Sequence, residues 1–127
     1  MNKTTVSTPN APAAIGPYSQ GVKIGNLIFT SGQLPLNPQT GELVADIEGA
    51  TRQSLDNVKA ILESAGATLD KIIKTVVFLR DMNDFAAMNA VYATYFPNDP
   101  PARSAVQVAR LPKDAILEIE AIALSEC

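Results

Sequence analysis

The chain has 127 residues, 46% of them hydrophobic and 18% charged, with a formal net charge of −3. That length suits one domain with a sizeable core, and an acidic balance without any Lys/Arg cluster excludes a dedicated nucleic-acid binder. Histidine is absent and the single cysteine is Cys127, which excludes Ser-His-Asp and Cys-His triads, His-ligated zinc, Cys-based metal clusters and an intrachain disulfide. The low charged share leads us to expect partner subunits over part of the surface. Cys127 has no base beside it in the sequence, so a nucleophilic role is not expected of it. The N-terminal stretch "MNKTTVSTPNAPAAIGPYSQG" has no apolar run behind a basic start, and no other run is long enough to span a bilayer; the expectation is a soluble cytoplasmic protein without a membrane partner.

In chain order, Lys3 to Val6 reads as a weak strand, Tyr18 to Ile24 as a second and Leu27 to Thr30 as a third, with Gly25-Asn26 as a hairpin turn between the last two. "SGQLPLNPQTGELV" reads as loop, because Pro35, Pro38 and Gly41 interrupt regular structure. From Asp46 to Ala65, apolar Ile47, Ala50, Leu55, Val58, Ile61, Leu62 and Ala65 recur at steps of three and four, which predicts an amphipathic helix. Asp46 is its N-cap and Gly66 its left-handed stop. "KIIKTVVFLRD" is β-branched and apolar, a central strand. Asn83 to Phe96 sets Phe85, Met88, Val91, Tyr92, Tyr95 and Phe96 on one helical stripe, with Asn89 at its margin and Pro97 as the stop.

Two further strands lie between Pro100 and Leu124, giving β-β-β-α-β-α-β-β, an α+β plan with two helices on one face of a mixed sheet. From Ala115 to Leu124 one face is Leu117, Ile119, Ala121 and Ala123, suited to the helices; the other is Ile116, Glu118, Glu120, Ile122 and Leu124. A solvent face has no need of those apolar residues, and a dry face does not tolerate two unpaired carboxylates. A second subunit packed there, leaving a polar crevice that holds Arg103 and the glutamates, reconciles the two.

Arg103 shares a strand face with Ala105 and Gln107, which leaves its guanidinium free to grip a carboxylate bidentately or to form an intersubunit ion pair with Glu118 or Glu120. Glu118 and Glu120 fit a general acid/base and its electrostatic neighbour, or the charged residues that protect an edge strand from aggregation. Tyr18, in "GPYSQG", is either a phenolic donor at a tight turn or an ordinary packed tyrosine. "TSGQ", Thr30 to Gln33, either lets the backbone near Gly32 approach a ligand or simply ends a strand. Asn89 faces a cleft or solvent. Spacing alone carries the reading no further than a small α+β domain, oligomeric, that binds a small acid.

The wording of the motifs goes further. "NAPAAIGPYSQG", "TSGQLPLNPQTGE", "QSLDNVKAILESAGA", "NDFAAMNAVYATYF", "PPARSAV", "VARLPKDA" and "EIEAIA" together resemble the RidA family (YjgF/YER057c/UK114), the reactive-intermediate imine deaminases, in order over nearly the whole chain. The resemblance implies a single RidA-like domain over 1–127, a chorismate-mutase-like fold, and a homotrimer with the sheets facing inward and clefts between subunits. It implies hydrolysis of 2-aminoacrylate/2-iminopropanoate and 2-iminobutanoate to 2-oxo acids and ammonia, without metal or cofactor. The imines would come from pyridoxal-phosphate-dependent threonine and serine dehydratases. Arg103 then corresponds to the carboxylate-binding arginine, Glu118 to the water-positioning glutamate and Tyr18 to a third catalytic residue; Ser31, Gly32, Asn89 and Ala105 line the substrate site. Many relatives carry cysteine where Ala105 stands, so no thiol is required at that position here. The competing expectation is a trimer that holds 2-oxo acids, or acts as a chaperone, without turnover; some relatives are also described as translation inhibitors with ribonuclease activity.

Overall fold

The computed structural model describes residues 2–125; Cys127 lies outside them. Its elements follow the predicted order: β1 Lys3–Val6, β2 Gly21–Ile24, β3 Leu27–Thr30, α1 Ile47–Ser64, β4 Ile72–Leu79, α2 Phe85–Tyr95, β5 Ala102–Gln107 and β6 Leu117–Leu124. They build one six-stranded sheet in the order β1-β2-β3-β6-β4-β5. All neighbours are antiparallel except β4 and β5, which are parallel. A parallel pair needs a crossover, and α2 is that crossover.

α1 is capped as its sequence requires. Asp46 accepts a hydrogen bond from Gly49 N at 2.8 Å, and beyond the helix Gly66 has φ +90°, where Ala67 N reaches back to Leu62 O. Gly25 turns the β2–β3 hairpin at φ 57°. Both helices cover one sheet face. Leu55, Val58 and Leu62 of α1, and Met88 and Tyr92 of α2, close over Ile28, Val77, Leu79, Leu117, Ile119, Ala121 and Ala123.

Three expectations need correction. The second strand begins at Gly21, not Tyr18, because Tyr18 N turns back to Gly16 O. The Gln20 side chain meanwhile holds the preceding loop: its amide oxygen accepts from Thr8 N, and its nitrogen donates to Thr8 O, Ala11 O and Pro12 O. Ile116 belongs to the main core rather than to the opposite face, since regular alternation starts only at Leu117 where β6 begins. Arg103 does not share a face with Glu118 and Glu120, as its neighbours show below.

Candidate active site

Glu118 stands on the sheet face that the helices leave uncovered. Its strand partner is Phe78 of β4, and the buried Leu117 and Ile119 beside it point the other way. The turn after β3 lies against it, held by a two-way backbone bridge between Gln33 and Ile119 (2.8 and 3.1 Å). The glycine leaves room for the carboxylate. A Cβ built on Gly32 would sit 2.7 Å from the Glu118 carboxyl carbon and overlap Oε2.

Ser31 is fixed in the same turn, its hydroxyl donating to Ser19 O at 2.6 Å. Tyr18, about half exposed, accepts from Ile15 N at 3.4 Å. Together Ile15, Tyr18, Ser31, Gly32, Leu34, Pro112 and Glu118 enclose a cavity of about 300 Å³. Partial burial pushes the Glu118 carboxyl above the ordinary glutamate range, and the nearby Glu120 charge pushes it the same way. Pro112 reaches the cavity from a tight loop in which Lys113 and Asp114 are left-handed (φ 58° and 54°). That loop is tied down by Arg80 Nη1 donating to Asp114 O and by the exposed Arg110–Asp114 ion pair, both at 2.9 Å.

Arg103 lies elsewhere. In register it stands beside Thr75 of β4, which stands beside Ala121 of β6, and that row faces the helices. Its Nη1 donates to Asn89 Oδ1 at 2.7 Å. Its guanidinium carbon sits 4.8 Å from the Tyr92 ring centre and 5.4 Å from that of Phe85. A second cavity of about 370 Å³ opens beside it, walled by Asn89, Tyr92, Ala93, Phe96, Pro100 and Pro101. Ala105, on the same side of β5, packs its methyl against the core. The sequence-predicted residues therefore fall into two groups: Tyr18, Ser31, Gly32 and Glu118 around one cavity, and Asn89 and Arg103 at another on the opposite face of the sheet. Among the described residues no carboxylate pairs with Arg103 inside the chain.

The supports of both groups went unread in the sequence. Gln20 and Gln33 are polar residues that act through backbone groups and leave no periodic signal. Phe85 and Tyr92 were legible as a stripe but not as the bed of an arginine, although Phe85, Asn89 and Tyr92 are spaced four and three apart on α2.

The family model described as Endoribonuclease L-PSP matches residues 8–125. The chain belongs to the L-PSP family. Among curated relatives of this L-PSP chain, the 2-iminobutanoate/2-iminopropanoate deaminase of Escherichia coli K12 is 60% identical over 127 residues, covering 98% of each chain. Among solved structures, the YjgF gene product of E. coli is 59% identical with a TM-score of 0.92, covering 97% of this chain and 99% of the other. E. coli TdcF, solved with bound serine, is 54% identical with a TM-score of 0.94 over the same shares. These neighbours bear out the RidA/YjgF resemblance and the α+β fold of this L-PSP family member.

Proposed function

We propose that this protein is an enamine/imine deaminase that hydrolyses 2-iminopropanoate, the tautomer of 2-aminoacrylate, and 2-iminobutanoate to the 2-oxo acids and ammonia, without metal or cofactor. The observation that carries this reading is 60% identity to the E. coli deaminase over 98% of the chain. The serine bound by TdcF is of the matching chemical type, a small molecule with a carboxylate and a nitrogen on the adjacent carbon.

In this reading Arg103 clamps the substrate carboxylate with two N–H donors while Asn89 holds the guanidinium, and the backbone near Gly32 and Ala105 fixes the orientation. The protonated imine carbon is already electrophilic. Glu118 takes a proton from a water as the new C–O bond forms, and then returns it to nitrogen. The carbinolamine expels ammonia as Glu118, again a carboxylate, takes the hydroxyl proton and the carbonyl forms; that proton leaves with ammonia as ammonium. Tyr18 hydrogen-bonds substrate or water, and Ser31 lines the same wall. The raised Glu118 pKa suits a group that must both accept and return a proton.

Because Arg103 and Glu118 occupy opposite sheet faces of one chain, a complete site takes Arg103 from one subunit and Glu118 from its neighbour. We assign the chain, acting as one domain, to a homotrimer with the sheets inward. The uncovered face supports this: Phe29 and Leu124 are 40% and 37% exposed there, beside Ile122 and Glu118, a mixture suited to burial against another copy. Cytoplasmic dehydratases that use pyridoxal phosphate are the source of the imines. The net charge of −3 speaks against nucleic acid as a substrate. No helix of the described residues is long and apolar enough to cross a membrane.

The test couples threonine dehydratase to threonine and traps the imine with semicarbazide. Substoichiometric protein is expected to suppress trapping; undiminished trapping with stable 2-oxobutanoate binding points instead to a binding protein. Mixing equal amounts of Arg103→Ala and Glu118→Gln chains, refolded together, is expected to regenerate intact sites at about a quarter of positions, since each site takes Arg103 from one subunit and Glu118 from another and each is intact in about half of the chains. A mixture as inactive as its parents overturns the shared site. Gly32→Ala is expected to rotate Glu118 out of the cavity and cut turnover roughly tenfold or more, with a crystal structure of the variant showing the displaced carboxylate; wild-type turnover refutes the close contact.

A further inference from the structure

We infer that Phe85 and Tyr92, with Thr75 behind Tyr92, are positioning residues that hold the Arg103 guanidinium in a fixed plane without neutralising it. This rests on the reading of Arg103 as the carboxylate anchor. Three successive contacts from α2 meet the arginine: the Phe85 ring at 5.4 Å, Asn89 Oδ1 at 2.7 Å and the Tyr92 ring at 4.8 Å. The Tyr92 ring is itself fixed. Its hydroxyl and Thr75 Oγ1 share a buried hydrogen bond of 2.6 Å, and Phe96 lies against the ring with centroids 4.7 Å apart.

The choice of partners matters. An arginine on a strand is commonly held by a carboxylate, which orients it but cancels its charge. Here a neutral amide oxygen and two π faces do the holding, so the full positive charge remains for an incoming anion. One donor is used by Asn89, leaving the rest of the five-donor fork for ligand. A guanidinium already held between two rings and an amide also loses less conformational freedom on binding than a mobile one. Because Arg103 is on the edge strand β5, no second strand confines its side chain, and the helix supplies that confinement.

The experiment measures 2-oxobutanoate affinity by calorimetry, together with kcat and KM on 2-iminobutanoate, for the full-length oligomer and for Arg103→Ala, Phe85→Leu and Phe85→Tyr. Phe85→Leu keeps an apolar side chain but removes the π face, and is expected to weaken 2-oxobutanoate and raise KM roughly threefold to thirtyfold, with kcat changed much less. Phe85→Tyr is expected to restore both to within about twofold, since the ring is kept. The Arg103 Nε–H resonance, assigned by its loss in Arg103→Ala, should move in Phe85→Leu as the Phe85 part of its ring-current displacement goes, with the Tyr92 part kept. Phe85→Met serves if leucine impairs folding. Undiminished affinity in Phe85→Leu, beside the expected loss in Arg103→Ala, overturns the positioning role alone. Undiminished affinity in Arg103→Ala overturns the anchor and this inference together.

Discussion

Arg103→Ala is expected to lose a hundredfold or more in kcat/KM on 2-iminobutanoate, about 3 kcal/mol of transition-state binding. The substrate is small, and its carboxylate is the one group on it that carries a full negative charge. Arg103, proposed above to meet that carboxylate, is held 2.7 Å from Asn89 with no carboxylate partner among the described residues of its own chain. Removing it uncovers Asn89, already exposed, and Phe85, only half-buried, while the buried Tyr92 keeps its Thr75 hydrogen bond and its Phe96 contact, so little stability is lost. The loss should therefore appear in turnover with the melting temperature nearly unchanged. Arg103→Lys is expected to recover only part of it, since an ammonium is a point charge without the planar fork. The measurement is 2-oxobutanoate formation at limiting imine; parental rates in Arg103→Ala refute the assignment.

Glu118→Gln is expected to lower turnover roughly a hundredfold to ten-thousandfold while making the protein more stable at neutral pH. Both effects come from the same surroundings. Burial first and the Glu120 charge second raise the Glu118 pKa in the fold above its unfolded value. A carboxyl raised in this way binds more protons folded than unfolded, so its ionisation lowers stability as pH climbs from the ordinary glutamate value through the raised one. Glutamine keeps the shape and removes the ionisation. The melting temperatures of parent and variant should coincide at pH well below the ordinary glutamate value and separate above it, with the variant higher. Parental activity should rise with pH across the same interval as the base ionises. A variant less stable than the parent at neutral pH refutes the sign. Stability given up at a working carboxylate is a recurrent trade in active sites.

Element order was legible because each element carried a local signal: the spacing of α1 with its Asp46 cap, the glycine turn at Gly25, the alternation of Leu117 to Leu124. Which face each strand presents was less so. Alternation tells which residues share a side but not which side meets the helices, and for the exposed edge strand β5 the run Ala102 to Gln107 has no buried residue to settle it. Alternation alone puts Arg103 beside Glu118, whereas its register with Thr75 and Ala121 turns it under α2. Gly32 was legible as a close-approach residue, but its partner was not, because the contact with Glu118 spans 86 residues of chain and arises only when β3 pairs with β6. Motif wording spread over nearly the whole chain carries tertiary information that periodicity lacks, and it is the wording that the family match over residues 8–125 bears out.

The Gln20 clamp has a consequence for how the mouth of the Glu118 cavity can vary. One buried amide secures the backbone of Thr8, Ala11 and Pro12, and the Ser19 carbonyl is fastened separately by Ser31. Between these anchors the tip carries Ile15, 71% exposed, whose side chain helps wall the cavity yet contributes little to the core. Shape at the mouth and integrity of the fold are thereby uncoupled: the tip can be rewritten at small cost, while the anchors keep Tyr18 in place. Diversification of this scaffold toward larger or smaller ligands has its cheapest route through that short, pinned arch.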